Sequence, residues 1–100
     1  LGGIKRVEVT EPAYLVDLSV SGAGIIARAI EGMVVRSAVE LTHEGRTARG
    51  VVRRMVPRDD GRVMYGIDFT VMAPELRVEL FSLIATRRPG DLEQLWLHAT

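Results

Sequence analysis

The chain has 100 residues, of which 47% are hydrophobic and 26% charged, so it has the size and composition of one folded domain rather than of a disordered or membrane-spanning segment. Its 13 basic and 13 acidic side chains give a formal net charge of zero, so the overall charge does not favour a nucleic-acid polymer or a membrane surface as partner. The absence of cysteine excludes disulfides, thiol catalysis and cysteine-ligated zinc.

Six strands are predicted before residue 72, spaced at roughly ten residues, which is typical of a small β-sandwich or barrel. The first two cover residues 4–11 and 13–19 and are separated by Pro12, which has no amide hydrogen to donate to a sheet. The third strand begins at "GAGIIAR". The other three form a meander over residues 37–71, because the segments "HEG" and "PRDDGR" between them carry turn signals.

Period-two alternation assigns the faces of the last two strands of this meander. In residues 62–71 one face is predicted to carry Val63, Tyr65, Ile67, Phe69 and Val71. In residues 46–56 one face is predicted to carry Ala48, Val52 and Val56, and the other Arg49 and Arg53. Arginines are frequent from position 36 to position 62, which is typical of a solvated strand face.

The apolar period then changes to that of a helix, with apolar side chains at i, i+4, i+7 and i+8. These side chains are Leu76, Leu80, Leu83 and Ile84. Pro74 suits the first helical turn and "RRPG" ends the helix, so one helix is predicted over residues 73–88.

The last segment, "DLEQLWLHAT", is predicted as a short second helix. Leu92, Leu95 and Trp96 then lie on one side of it. The predicted organisation is a β domain with its closing helix over residues 1–88, followed by a C-terminal extension over residues 89–100.

No catalytic or metal-binding constellation is predicted. His43 and His98 lie far apart in the sequence without an acid cluster nearby, which does not suit a metal site. The segment "RDDG" is explained by turn chemistry. Ser19 and Ser21 have no neighbouring base, and "SVSGAG" lacks the pattern of a nucleophile elbow or of a Walker loop. Enzymatic activity is therefore not expected.

The stretch "DLSVSGAGI" is unusually polar for the boundary between two apolar strands. Asp17 and Ser19 are two residues apart at a strand end, so they project from the same face. A carboxylate there can accept hydrogen bonds from a guanine, and the nearby glycines let the backbone approach a ligand or simply turn the chain. These residues alone favour a turn and leave a ligand site open.

The order of these segments resembles that of PilZ domains. The family motif Asp/Asn-x-Ser-x-x-Gly matches Asp17, Ser19 and Gly22. The landmarks "EGMVVRSAVEL", "ARGVVRRMV", "YGIDF" and "ELRVELFSLI" follow in the family order. The resemblance implies a mainly β fold, namely a six-stranded antiparallel β-barrel with a C-terminal α-helix. It also implies a cytoplasmic receptor for cyclic di-GMP that has no cofactor and no catalytic activity.

In PilZ domains this motif lines one side of the nucleotide site, and an Arg-x-x-x-Arg motif before the first strand forms the other side. Those arginines hold phosphates and guanine faces. If Arg6 is the second arginine, the first is replaced here by Gly2. The candidate ligand-binding residues implied by the resemblance are Asp17, Ser19, Ser21 and Gly22, with Lys5 and Arg6 as the basic residues before the first strand.

Two functional hypotheses follow. In the first, the chain is a cyclic di-GMP-binding module of a larger bacterial protein, its arginine motif lies upstream of Leu1, and it acts on an attached or partner effector protein. In the second, it is a degenerate PilZ domain that serves as a protein-interaction adaptor and does not bind the nucleotide. Neither involves a nucleic-acid polymer or membrane insertion of this chain. The segment "RRPGDLEQLW" faintly resembles the region after the PilZ domain of bacterial cellulose synthases, which would make the chain a cytoplasmic domain of a membrane protein.

Overall fold

The computed structural model of the protein describes residues 8–88 and 90–99. Within them the chain forms β1 Val9–Leu18, β2 Gly22–Arg28, β3 Ala38–His43, β4 Arg46–Pro57, β5 Arg62–Met72, α1 Pro74–Thr86 and β6 Glu93–Ala99. Neighbouring strands are antiparallel, and the sheet closes on itself in the order β1-β2-β5-β4-β3-β6. The predicted fold class, a mainly β chain with a six-stranded antiparallel barrel and a helix near the C terminus, is confirmed.

β1 replaces two of the predicted strands, because it runs unbroken through Pro12. The pairing of β1 with β2 begins only at Tyr14, so one side of β1 is unpaired at Pro12, as in an edge strand. Proline is tolerated at such positions because no ladder hydrogen bond is lost there. The other side of this stretch pairs with β6, where Pro12 lies opposite Trp96. The predicted strand break at Pro12 is therefore wrong.

β6 supplies the sixth strand, and the predicted short second helix is wrong. Leu95, Leu97 and Ala99 are buried at alternate positions, as a strand requires. Leu92 and Trp96, which helical spacing placed beside Leu95, are 43% and 45% exposed. The strand is favoured because it pairs with both β1 and β3 and covers two edges that would otherwise present unpaired backbone groups. The segment is thus part of the barrel and not an extension of it.

The core fills the barrel and reaches the inner face of α1. Leu76 and Leu80 are almost completely buried, and Leu83 and Ile84 pack at the margin of the core. α1 begins at Pro74, as predicted, because the first helical position needs no N–H donor. Burial of each leucine stabilises the fold by about 1.5–3 kcal/mol, so these side chains hold the helix against the barrel.

Register shifts in β1 and β4 change which side chains face outward. The pairing of β1 with β2 skips Val16, and the pairing of β4 with β5 skips Arg53. Because strand side chains alternate, an extra residue reverses the faces of the residues that follow it. Asp17 and Arg54 therefore point outward, although the alternation of the preceding residues would direct them toward the core.

The same kind of shift corrects two predicted face assignments. Val56, predicted to share the face of Val52, lies beyond the shift in β4 and is 45% exposed. Val71, predicted to share the face of Ile67, lies beyond a further shift that skips Thr70 and is 60% exposed. Strict alternation fails at both positions because a bulge adds one residue to one strand only.

Candidate functional site

The four residues predicted from "DLSVSG" lie together in one open groove on the outside of the barrel. The groove crosses β1, β2, β5 and β4 and has a volume of about 180 Å³. It is lined by Asp17, Ser19, Ser21 and Gly22 from the motif and, among others, by Gly24, Arg53, Arg54, Gly66 and Asp68. The motif residues and the two adjacent arginines of β4 thus meet at one place.

Ser19 and Gly22 form the turn between β1 and β2. The Ser19 N–H donates to the Gly22 carbonyl at 2.9 Å, and the Gly22 N–H donates to Ser19 Oγ at 3.1 Å. Gly22 also lies against the backbone of β5, because a Cβ at this position would overlap the Ile67 carbonyl oxygen. The serine and the glycine of the motif therefore have a structural role, in agreement with the turn interpretation.

Asp17 combines a structural contact with an exposed surface. The Gly24 N–H donates to Asp17 Oδ1 at 2.9 Å. A Cβ at residue 24 would lie 2.8 Å from this oxygen, so a larger residue there would displace the carboxylate. Within the part of the chain that the structure describes, no other donor bonds to the Asp17 carboxylate. One oxygen therefore holds the strand end, and the other can accept a hydrogen bond from a ligand.

A lateral row of four residues crosses the groove, and we refer to it as the Asp17–Arg54 row. In the strand register Asp17 lies opposite Gly24, Gly24 opposite Gly66, and Gly66 opposite Arg54. The two central positions carry no side chain, so nothing projects between the carboxylate at one end and the guanidinium at the other. The row places an anion and a cation on the same outer surface.

Arg53 and Arg54 are the groove residues that sequence analysis missed. Both are exposed, and Arg53 Nη1 lies 3.6 Å from Asp68 Oδ1. Across residues 8–88 and 90–99, Arg54 has no carboxylate within ion-pair distance. The sequence carried one signal for Arg54. Alternation from Val52 assigns position 54 to the core, and a charged residue there indicates a bulge.

Two arginines that follow β5 hold the backbone around the motif. The Arg77 guanidinium donates to the Val20 carbonyl. Arg87 donates from Nη1 to the Leu15 carbonyl at 3.0 Å and from Nη2 to the Val16 carbonyl at 2.7 Å. Because Val16 is the extra residue of the shift in β1, Arg87 fixes the bulge that turns the motif aspartate outward.

Lys5 and Arg6, the remaining predicted ligand-binding residues, lie outside the described residues. The basic side chains that line the groove within the described residues are those of Arg53 and Arg54. They come from β4 and not from the segment before the first strand.

A second polar cluster surrounds His43 where α1 meets the barrel. Nδ1 lies 3.3 Å from Glu79 of α1 and Nε2 lies 2.9 Å from Glu93 of β6. Burial alone lowers the pKa of His43, but the hydrogen bonds and charges of the two glutamates outweigh it, and the pKa is raised above its ordinary value. The sequence did not reveal this cluster because the glutamates lie 36 and 50 residues from the histidine.

The expectation that His43 has no acids near it is therefore wrong. His43, Glu44 and Glu79 even offer possible metal-ligand atoms within 4.8 Å of one another. However, Arg46 Nη1 donates to Glu79 at 3.1 Å, and both ring nitrogens of the histidine already face carboxylates. Glu79 and Glu93 are thus already bound by protein groups, and these contacts link α1 to β3 and β6.

A larger cavity of about 460 Å³ lies near the start of β1 and is lined in part by Thr10, Glu40, Arg49 and His98. These side chains are already paired, since Arg49 Nε donates to Glu40 at 3.1 Å and His98 Nδ1 lies 3.1 Å from Thr10 Oγ1. None of the predicted site residues that the structure describes lines this cavity. The groove is therefore the candidate site.

Comparisons with protein-family models, with curated proteins and with solved structures found no match to this chain. The resemblance to PilZ domains therefore stays a prediction from the sequence. Among the described residues, no helix combines the length and the apolar character needed to cross a membrane.

Proposed function

We propose that the protein is a non-catalytic regulatory module that binds cyclic di-GMP and acts on an attached or partner effector protein in the bacterial cytoplasm. The observation that carries the proposal is the shared groove, in which the four predicted motif residues lie beside Arg53 and Arg54. A motif that served only as a turn would not require two outward-facing arginines from a strand that is not adjacent to it.

The chemistry of the groove suits this ligand. Cyclic di-GMP carries two phosphates and two guanines, and each guanine has donor groups on one part of its edge and acceptors on another. Asp17 supplies a carboxylate that can accept from the guanine donors. Arg53 and Arg54 supply planar cations that can bind phosphates or guanine acceptors.

The size of the groove is consistent with half of a site. Pockets that enclose a drug-sized ligand usually have volumes of about 300–1,000 Å³, whereas this groove has about 180 Å³. A second segment is therefore expected to cover the rest of the ligand, as the segment before the first strand does in PilZ domains. Binding would join that segment to the barrel and shift the population of the neighbouring domain, which is the regulatory step.

The proposal is tested by calorimetric titration of cyclic di-GMP into the wild-type chain and into Asp17→Asn. Asparagine keeps an oxygen for the Gly24 N–H but removes the charge, so the fold is expected to persist. Affinity is expected to fall by about ten- to a hundredfold, the usual effect of losing a hydrogen bond to a charged group. Asp59→Asn, in the exposed turn before β5, is the matched control and should bind like wild type.

Saturable binding that weakens in Asp17→Asn and not in Asp59→Asn supports the proposal. If the gene encodes residues before Leu1, the longer product is titrated alongside, since it could supply the missing arginines. Failure of every wild-type form to bind cyclic di-GMP overturns the proposed function.

An adaptor role without nucleotide binding is the second candidate, and one observation favours it. Val78 and Phe81, three residues apart on α1, are 71% and 37% exposed, on the side of the helix away from the buried Leu76 and Leu80. Exposed apolar side chains on one helix face can serve as a contact for another protein. The same titration separates the two functions, because an adaptor leaves cyclic di-GMP unbound.

A further inference from the structure

Building on the proposed function, we infer that Arg54 is a base-reading residue which, together with Asp17, recognises the hydrogen-bonding groups of a guanine. Gly66 is inferred to be a specificity-determining position, because its missing side chain leaves Arg54 and the base in contact. The guanine-reading part of the site is then built from β1 and β4, across two strands that contribute only glycine to the Asp17–Arg54 row.

The first support for this inference is the placement of the two charged residues. Each follows a register shift in its own strand, and each is turned outward by that shift. The strands of the row span three inter-strand steps, or about 14 Å between the outer backbones. Asp17 leans over Gly24, and Arg54 Nε lies 3.8 Å from where a Gly66 Cβ would be. Both side chains thus lie over the central glycines.

The second support is that the Asp17 carboxylate and the Arg54 guanidinium do not form an ion pair with each other. Among the described residues Arg54 takes part in no ion pair, and Asp17 accepts one hydrogen bond, from the Gly24 N–H. A carboxylate has about four acceptor directions and a guanidinium has five N–H donors. The row therefore offers a set of acceptors beside a set of donors to a third group.

A guanine matches this set. Its N1–H and N2–H₂ groups donate, which suits the Asp17 carboxylate, and its O6 and N7 accept, which suits Arg54. Adenine keeps the N7 acceptor but has a donor at the position of O6 and an acceptor at N1, so one contact of Arg54 and the contact of Asp17 would place like groups face to face. A phosphate fits less well than a guanine, because the attraction of Arg54 is opposed by repulsion from Asp17 at a similar distance.

Gly66 matters because it is the neighbour of Arg54 in the row. An added Cβ would lie 3.5 Å from Arg54 Cβ, which is an ordinary contact, so a small side chain can be accommodated. A branched side chain on this outward position would instead stand between Arg54 and the base. The glycine can thus be changed to obstruct recognition without removing any donor or acceptor.

The test measures the affinities of cyclic di-GMP and cyclic di-AMP for wild type, Arg54→Met, Gly66→Val and the control Arg49→Met. Arg49 lies on the same strand and carries the same charge, but its side chain is paired with Glu40 outside the groove. Wild type should prefer cyclic di-GMP. Arg54→Met and Gly66→Val should reduce the preference by about tenfold or more, the usual effect of losing a base-specific contact.

Arg49→Met should weaken both ligands slightly and equally, because it changes only the overall charge. Equal weakening of both ligands by Arg54→Met, or an unchanged preference in both groove variants, overturns the inference and leaves cyclic di-GMP binding in place. A wild-type chain that binds neither dinucleotide overturns the inference and the proposed function together. Circular dichroism and thermal unfolding establish that each variant is folded.

Discussion

Gly22 and Gly66 both lie in strands of the groove, yet an added Cβ would meet different surroundings at the two positions. At Gly22 it would overlap the Ile67 carbonyl oxygen, which belongs to the backbone of β5. At Gly66 it would lie at an ordinary contact distance of 3.5 Å from Arg54 Cβ. A carbonyl within a sheet cannot move without disturbing the pairing of β2 with β5, whereas an exposed arginine side chain can.

Alanine is therefore expected to have a much larger effect on stability at Gly22 than at Gly66. Gly22→Ala should lower the free energy of unfolding by about 1–3 kcal/mol, the usual cost of overpacking. Gly66→Ala should change it by less than about 1 kcal/mol and can raise it, because alanine restricts the unfolded chain more than glycine does. Urea denaturation of both variants measures the difference, and equal losses at the two positions would contradict the close approach at Gly22.

At the scale of the elements, local signals were sufficient where a segment carries its own period and its own turns. The predicted strand at "GAGIIAR" coincides with β2, and the helix predicted over residues 73–88 is found at Pro74–Thr86. The motif aspartate, serine and glycine could be proposed from sequence for the same reason, since they lie within six consecutive residues. Short-range patterns need no knowledge of the partner strand.

Local signals failed where the outcome depends on pairing between distant segments. β1 continues through Pro12 because the strand beside it begins later, and β6 is a strand because it lies between β1 and β3. Arg54 joins the groove only because β4 bulges against β5. None of these arrangements has a signature within a window of ten residues, so half of the candidate site could not be predicted from sequence.

The role of β6 gives a prediction at this scale. Leu97 has 0% exposure inside the barrel, so Leu97→Ala should lower the free energy of unfolding by about 2–5 kcal/mol, as for other buried leucines. Leu92, just before the strand, is 43% exposed, and Leu92→Ala should cost about 1 kcal/mol or less. Chemical denaturation measures both. A neutral effect of Leu97→Ala would mean that the last segment lies outside the cooperative fold.

At the scale of the whole molecule, the region from α1 to Arg87 connects the groove to the far side of the barrel. Arg77 and Arg87 donate to carbonyls of the motif turn and of the bulge in β1. Glu79, on the same helix, faces His43 of β3, and the histidine also faces Glu93 of β6. A change in how the helix sits on the barrel would therefore reach both the groove and the closing strand.

The His43 cluster makes stability depend on pH. The pKa of His43 in the folded chain is raised above the ordinary 6.5, so its protonation stabilises the fold fully below that pH and loses the effect as pH rises through the folded pKa. Burial alone would raise the pKa of Glu79, but the His43 and Arg46 contacts lower it below the ordinary 4.5. The ionised carboxylate therefore stabilises the fold fully above that pH, and this effect is lost as pH falls through the folded pKa. The contributions of both groups are present together between 4.5 and 6.5.

Thermal unfolding measured from about pH 6 to about pH 9 should therefore show a falling midpoint in the wild-type chain, as the imidazolium is lost. His43→Gln should flatten this dependence and lower the midpoint most at the acidic end, since glutamine cannot supply the charge between the two glutamates. His98→Gln is the matched control, because His98 faces the hydroxyls of Thr10 and Thr42 rather than carboxylates, and it should keep the wild-type slope. An unchanged slope in His43→Gln, or its loss in His98→Gln, would show that the cluster does not link helix and barrel through the charge of His43.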